Sequence, residues 1–190
     1  MKQTIRIIGG LFRGKKLQFP DVEDLRPTPD RVRETLFNWL MADIRDARCL
    51  DAFAGSGALG FEAYSRGAAQ VVLIEQSAAA YSNLKKIASA FNSPKLSVLQ
   101  ADACKFILTS KQQFDIIFLD PPFAANLLPQ CLSLLAQSNL LPTDGLLYLE
   151  SAQEIILDPA IWQKIKLKSA GQVVYGLYKK CVDSDHHDTC

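Results

Sequence analysis

Residues 51–60 of the chain run DAFAGSGALG, between a short apolar stretch and a helical pattern. Gly55, Gly57 and Gly60 have the GxGxxG spacing found between the first strand and first helix of nucleotide-binding βαβ units. Glycines at such positions permit a tight turn and the close approach of a ligand. Glu75 ends the next apolar run, where an acid can accept ribose hydroxyls. This order of elements predicts a doubly wound α/β fold.

Strands and helices alternate along most of the remaining sequence, which is typical of a mostly parallel sheet with helices on both faces. The last two predicted strands are joined by a turn at Ala170-Gly171 and form a hairpin. The predicted strands lie near 48–53, 70–75, 95–100, 114–119, 145–150, 164–170 and 172–179, and the helices near 57–67, 77–91, 103–109 and 126–138.

A small β-hairpin is predicted in front of this sheet, because residues 4–8 alternate and residues 11–19 have the character of a second short strand. A proline-containing loop follows it. Thr28 or Asp30 can then cap a helix that runs to about Met41.

The chain is predicted to divide into three parts. Residues 1–25 form the N-terminal basic hairpin extension and residues 26–182 the main domain. Residues 183–190 are polar and are expected to be a frayed, disordered tail.

The composition predicts one globular domain of a cytoplasmic protein. With 190 residues, 48% of them hydrophobic, the chain can bury a sizeable core. No apolar stretch is long enough to span a membrane, and the start does not resemble a signal peptide. The five cysteines have no CxxC spacing, which indicates reduced thiols and no metal site. Nothing in the sequence indicates an obligate partner chain, so we expect a monomer.

The net charge is only +1, but the basic residues are unevenly distributed. The first 20 residues contain Lys2, Arg6, Arg13, Lys15 and Lys16 and no acid. Such a patch can hold the phosphates of a nucleic acid. Lysines on an edge hairpin also discourage aggregation, so the residues alone leave both interpretations open.

The acids that follow the predicted strands favour a positively charged ligand. Asp51 stands just before the glycines, where it would repel the pyrophosphate of a nicotinamide cofactor. It would instead attract the sulfonium and ammonium groups of S-adenosylmethionine. Further acids end other strands, at Glu75, Asp102 and Asp120. This layout favours a methyl donor over a dinucleotide.

A second motif, Asp120, Pro121, Pro122 and Phe123, directly follows the apolar run 114–119. Two consecutive prolines end the strand and hold the backbone extended. A carboxylate, proline carbonyls and an aromatic ring are then displayed together, an arrangement that suits a flat base bearing an amino group. A loop with an exposed phenylalanine is the alternative.

The segment 51–68, together with Glu75, Asp102 and the motif at Asp120, resembles the class I S-adenosylmethionine-dependent methyltransferases. That family has a Rossmann-like, seven-stranded sheet with an antiparallel seventh strand, which the C-terminal hairpin would supply.

The N-terminal segments narrow the resemblance. Residues 6–10, 13–14 and 26–38 resemble the RsmD family of bacterial 16S ribosomal RNA guanine-N2 methyltransferases. The similarity extends from about Arg6 to Lys180.

The resemblance implies roles for individual residues. The cofactor would be bound by Asp51, Phe53, Gly55, Gly57, Glu75, Asp102, Ala103 and Thr28. The guanine would be held by the catalytic residues Asp120, Pro121, Pro122 and Phe123. RNA would be contacted by Arg6, Arg13, Lys15, Lys16, Arg26 and Arg33. For Arg33 an ion pair with Asp30 or Glu34 is the alternative, and helix N-capping is the alternative for Glu75 and Asp102.

The implied activity is methyl transfer from S-adenosylmethionine to the exocyclic N2 of a guanine in 16S ribosomal RNA, free or in the small ribosomal subunit. A loop guanine is expected, because it costs less to extrude than a stacked one. Two alternatives stay open. A DNA methyltransferase acting on adenine N6 or cytosine N4 shares the second motif but usually needs a separate recognition domain. A non-catalytic RNA-binding module could have the same fold.

Overall fold

The computed structural model describes residues 3–19, 27–122 and 126–181. Within them the strands are β1 Gln3–Arg6, β2 Lys16–Phe19, β3 Arg48–Asp51, β4 Gln70–Glu75, β5 Leu96–Gln100, β6 Ile116–Leu119, β7 Leu146–Ser151, β8 Trp162–Ala170 and β9 Val173–Lys180. The helices are α1 Asp30–Trp39, α2 Ala58–Ser65, α3 Ala78–Ala90, α4 Ala103–Thr109 and α5 Leu128–Ala136. The predicted order of elements is confirmed, with ends that differ by a few residues.

The main sheet has seven strands in the order β5-β4-β3-β6-β7-β9-β8, and β1 pairs with β2 in a separate hairpin. Strands β3 to β7 are parallel, whereas β9 pairs antiparallel with both β7 and β8. The predicted doubly wound, mostly parallel sheet is therefore confirmed. Its strand order reverses between β3 and β6, and ligands of such sheets bind in the crevice at that point.

The central strands are buried on both faces, as parallel strands covered by helices must be. Their side chains alternate between two core layers: Ile116 and Phe118 pack with α1, α2 and α3, while Ile117 and Leu119 pack with α4 and α5. The same alternation directs Asp51 and Asp120 toward the first layer, since each stands two residues beyond one of its members. The period of the strands thus places both acids on one face.

The N-terminal hairpin packs against the main domain. Its alternate residues Ile5, Ile7, Leu17 and Phe19 are buried in the same core layer as α1 and α2. The main-chain N–H of Leu11 donates to the carbonyl of Ser65 at 2.7 Å. The predicted second strand is shorter than expected, because residues 11–14 form turns.

The start of α1 differs from the prediction. Pro29 is the N-cap residue and no side chain caps the helix, so the prediction of a Thr28 or Asp30 cap is wrong. Thr28 directs its hydroxyl to Asp120 and Asp30 pairs with Arg33, so neither side chain is available. Among the described residues, no helix is both long and apolar enough to cross a bilayer.

Candidate active site

The glycine loop between β3 and α2 is held by its backbone and by Glu75. Gly57 is the N-cap of α2 with a φ of +79°, and a Cβ there would collide with the rings and methyls of Phe61 and Leu84. The Gly55 N–H donates to Glu75 Oε2 at 2.9 Å, and the Ser77 N–H donates to Glu75 Oε1 at 2.7 Å. Glu75 therefore fixes the loop while each of its oxygens retains a lone pair for a ligand.

Asp51 is buried at the carboxyl end of β3, with 2% of its surface exposed. Its Oδ2 accepts the N–H of Gly60, inside α2, at 2.9 Å. Burial raises the pKa of Asp51 to about 7, with the Gly60 hydrogen bond opposing and the charges of Asp120 and Glu75 adding to the shift. Such a carboxylate gains more than an exposed one from a cationic ligand, because the pair forms away from water.

Asp120 follows β6 on the other side of the switch point. The Thr28 hydroxyl donates to its Oδ2 at 3.2 Å, which joins the loop before α1 to the catalytic motif. Burial raises the pKa of Asp120 to about 6, and the hydrogen bond from Thr28 opposes the shift. Pro121 is buried and Pro122 is exposed, while Phe123 lies outside the described residues.

Glu150 and Tyr148 belong to the same group of side chains, and the sequence analysis did not select either. Glu150 is the penultimate residue of β7, lies near Asp120, is 3% exposed, and accepts the Tyr148 hydroxyl at 2.8 Å. Burial raises the pKa of Glu150 to about 8, and the charge of Asp120 adds to the shift. The signal was present in the sequence: Glu150 also follows an apolar strand run, like the four acids that were selected.

The remaining predicted cofactor residues lie at the same edge of the sheet. Asp102 caps α4 by accepting the Lys105 N–H at 2.8 Å, and Ala103 begins the helix with its side chain buried. The N-capping alternative thus holds for Asp102 and leaves its second oxygen unused by that bond. Phe53 is partly buried in the glycine loop. Asp51, Glu75, Asp102 and Asp120 therefore stand at the carboxyl ends of four neighbouring strands.

Four of the predicted RNA-binding residues are exposed on the N-terminal hairpin. Arg6 pairs with Lys16 across the two strands, Arg13 lies in the turn, and the Lys15 ammonium lies 4.2 Å from the centre of the Phe91 ring. A groove of about 420 Å³ separates the hairpin from residues 27–30, and both Arg6 and Lys16 line it. The fifth residue, Arg26, lies outside the described residues.

Arg33 does not belong to this basic surface. Its side chain is 1% exposed and donates to Asp30 at 2.6 Å, to the Arg6 carbonyl at 2.9 Å and to Glu62 at 3.4 Å. The prediction that Arg33 contacts RNA is therefore wrong, and the alternative ion pair with Asp30 is present. The guanidinium instead ties α1 to the hairpin and to α2.

Comparisons with known proteins agree with this geometry. The model of the family described as "Conserved hypothetical protein 95" matches residues 5–179. The chain is 47% identical over 178 residues to the ribosomal RNA small subunit methyltransferase D of Escherichia coli strain K12, covering 93% of this chain and 90% of that protein. It is 44% identical over 183 residues to the protein of the same name from Haemophilus influenzae, covering 94% and 95% respectively.

A solved structure has the same fold. The Escherichia coli protein yhhF superimposes with a TM-score of 0.87 at 45% sequence identity, covering 95% of this chain and 100% of that one.

Proposed function

The chain belongs to the RsmD family of ribosomal RNA methyltransferases, and from that premise we propose that it methylates the exocyclic N2 of a guanine in 16S ribosomal RNA. The methyl donor is S-adenosylmethionine. The observation that carries the proposal is that Asp51 and Asp120 stand at the carboxyl ends of the neighbouring strands β3 and β6, at the switch point of the sheet, where the charge of Asp120 raises the pKa of Asp51.

The cofactor occupies the crevice between β3 and β6 in this proposal. Asp51 faces the ammonium of its methionine part, Glu75 accepts the ribose hydroxyls, and Asp102 with the Ala103 N–H receives the adenine. Phe53, Gly55 and Gly57 border the ligand, and Thr28 closes the far side through its bond to Asp120. Asp51 supports this orientation, because a buried carboxylate without a cationic partner among the described residues suits a cationic ligand.

The chemistry requires no nucleophile from the protein. The guanine N2 attacks the methyl carbon in line with the carbon–sulfur bond, which breaks and leaves a neutral thioether, and the nitrogen then loses a proton. The N2 lone pair is delocalised into the ring, so acceptors that take its two hydrogens favour charge developing on nitrogen. Asp120 and the Pro121 carbonyl fill that role, Pro122 keeps the segment extended, and Phe123 stacks on the base. Positioning supplies much of the remaining rate.

RNA reaches the site across the groove beside the hairpin. Arg6 and Lys16 line that groove next to Thr28, and Arg13, Lys15 and Arg26 extend the positive surface in this proposal. We expect the double change of Arg6 and Lys16 to glutamate to raise KM for RNA at least tenfold and to leave the Kd of S-adenosylmethionine unchanged, because phosphate contacts dominate RNA affinity. Lys164→Glu, at the opposite end of the sheet, is the matched control. Equal KM values for the wild type and the double variant would show that the hairpin does not contact the RNA.

The central test is Asp120→Ala. We expect methyl transfer to small-subunit RNA to fall at least a hundredfold, because one of two acceptors for the amine is lost. The Kd of S-adenosylmethionine, measured by calorimetry, should stay within about threefold, since Asp120 holds the base rather than the donor. Glu154→Gln, an exposed acid on the loop after β7, is the control.

The product identifies the substrate. Wild-type protein is incubated separately with free 16S RNA, with small subunits from a deletion strain and with duplex DNA, and the modified nucleoside is mapped by mass spectrometry. N2-methylguanosine in a loop is expected; methylated adenine or cytosine in DNA would favour the DNA methyltransferase alternative. Absence of S-adenosylmethionine binding would favour a non-catalytic RNA-binding module. We further propose that the protein acts in the cytoplasm as a monomer, which light scattering can measure.

A further inference from the structure

Two cysteine sulfurs meet in the core layer that packs with α4 and α5. The Sγ atoms of Cys104 and Cys131 lie 3.3 Å apart, although the two residues are 27 positions apart in the sequence. Cys131 is 0% exposed and Cys104 is 7% exposed, and both are free cysteines. The proposed methyl transfer uses neither thiol, so it does not account for their contact.

The positions of the two sulfurs are close to those of a disulfide. An S–S bond is about 2.05 Å long, so sulfurs 3.3 Å apart need to approach by about 1.3 Å in total. Each sulfur would then move by about 0.6 Å, which is comparable to the thermal displacement of an ordered atom. Side-chain rotation with a small shift of one helix can supply this movement.

A bond between these sulfurs would link two parts of the candidate active site. Cys104 is the second residue of α4, directly after Asp102 and Ala103, which receive the adenine in the proposed function. Cys131 lies in α5. The segment between the two cysteines contains β6 and the motif from Asp120 to Phe123. A disulfide would therefore close a loop that contains the catalytic motif and begins at the adenine-binding turn.

We propose that Cys104 and Cys131 form a modification site, a pair of thiols that hydrogen peroxide converts reversibly into a disulfide and so weakens the binding of S-adenosylmethionine. The disulfide itself is independent of the proposed function. Its effect on the cofactor rests on the adenine contacts of Asp102 and Ala103 proposed there.

The reaction has two steps, and Cys104 reacts first because it is the less buried thiol. Its sulfur attacks one oxygen of the peroxide, the O–O bond breaks, and a sulfenic acid forms while the thiol proton leaves with the other oxygen as water. The Cys131 sulfur then attacks the Cys104 sulfur. The S–O bond breaks, and its hydroxyl leaves with the Cys131 proton as a second water. Two thiols thus lose two electrons to one peroxide.

The environment of Cys131 suits the second step rather than the first. Burial raises the pKa of Cys131, and the contact with Cys104 adds to the shift. Cys131 therefore stays a protonated thiol that is shielded from peroxide in solution. A sulfenic acid formed on Cys104 would nevertheless lie within contact distance of it. Both thiols are thus kept reduced until peroxide reaches Cys104.

The disulfide is expected to act on the cofactor through the first turn of α4. Asp102 accepts the Lys105 N–H at 2.8 Å, so Asp102 moves with that turn when Cys104 is drawn toward α5. We expect the Kd of S-adenosylmethionine to rise about fivefold or more, which is within the usual range of coupling between two sites. Bound S-adenosylmethionine should disfavour the disulfide by the same factor, because such coupling is reciprocal.

The test uses the full chain with Cys181→Ser and Cys190→Ser, which removes two other thiols that peroxide could oxidise. After treatment with hydrogen peroxide, trypsin digestion and mass spectrometry should give peptides 96–105 and 112–164 joined, with the loss of two hydrogens. Dithiothreitol should separate them. Calorimetric titration should give the raised Kd after peroxide and the original Kd after dithiothreitol.

Cys104→Ala in the same background is the matched control. It lacks the thiol that peroxide reaches first, so its Kd should be the same before and after peroxide. Methionine oxidation does not explain the expected result, because dithiothreitol does not reverse it.

Two results would overturn the inference. One is the absence of the joined peptides after peroxide treatment, and the other is a joined pair with an unchanged Kd. Both are measured with Cys104 and Cys131 in place, so neither depends on the folding of the alanine variant, and neither uses RNA. Failure of the proposed function would appear differently, as reduced wild-type protein that does not methylate ribosomal RNA.

Discussion

Acids on the same side of the sheet have two opposite kinds of partner, with Glu62 on one side of the contrast and Asp51, Asp120 and Glu150 on the other. Glu62 of α2 is fully buried and accepts from Arg66 at 2.7 Å, from the Ile8 N–H at 2.9 Å and from Arg33 at 3.4 Å. Asp51, Asp120 and Glu150 take part in none of the ion pairs between described residues. Their partners there are main-chain N–H groups and hydroxyls.

The presence or absence of cationic partners distinguishes the structural cluster around Glu62 from a ligand-binding site. A buried charge that is paired and hydrogen-bonded holds elements together, here the hairpin, α1 and α2. Buried acids without cationic partners raise the free energy of the folded state, and a cationic ligand can recover that cost on binding. Glu62 has its cationic partners within the protein. The acids of the site obtain theirs only when a ligand with a sulfonium and an amine binds.

The largest expected effect comes from breaking the structural cluster. Glu62→Gln leaves two guanidinium groups facing a neutral amide, one of them buried, and should lower the free energy of unfolding by about 3–5 kcal/mol. Urea denaturation measures this. Glu154→Gln removes the acid of the exposed pair with Lys164 and should cost less than about 1 kcal/mol. If the two variants lost equal stability, the ion pairs of Glu62 would not be holding the hairpin, α1 and α2 together.

A smaller effect of opposite sign is expected at the site. Asp51 has a folded-state pKa raised to about 7, above its value near 4 in an unfolded chain, so its ionisation opposes folding as pH rises between those values. Asp51→Asn should therefore increase the free energy of unfolding of the cofactor-free protein at pH 8 and change it little at pH 4. Urea denaturation at both pH values checks the sign.

The same Asp51→Asn variant should bind S-adenosylmethionine about 10- to 100-fold more weakly, because a hydrogen bond to a charged group is worth about 1.5–3 kcal/mol. Calorimetric titration gives the Kd. A variant that lost stability at pH 8 and kept full affinity would place Asp51 with Glu62 as a structural acid, and the contrast between the two groups would fail.

Much of the fold was predictable because its signals are local. The apolar period of the strands, the glycines at the α2 N-terminus and the prolines after β6 each act within a few residues, and they indicated the alternation that the structure has. One error has a cause that is not local. Residues 11–14 belong to the second predicted strand but form turns where the hairpin meets Ser65, a contact between residues far apart in sequence.

The site was predictable in part. The rule that acids follow strands selected Asp51, Glu75, Asp102 and Asp120, which lie at one edge of the sheet because parallel strands end together. The role of Arg33 could not be predicted, because a basic residue in a basic segment has the same sequence signal whether it faces RNA or a buried glutamate. Nor could the rule join Thr28 to Asp120, which are 92 positions apart.

The sequence by itself determined which side chains stand at strand ends and on which face of the sheet, because both follow from a two-residue period and from breaks in it. Only the tertiary structure decided which of the buried charges are neutralised. Charge interactions depend on distance and on exclusion of water, and neither is set until strands from distant parts of the chain lie side by side.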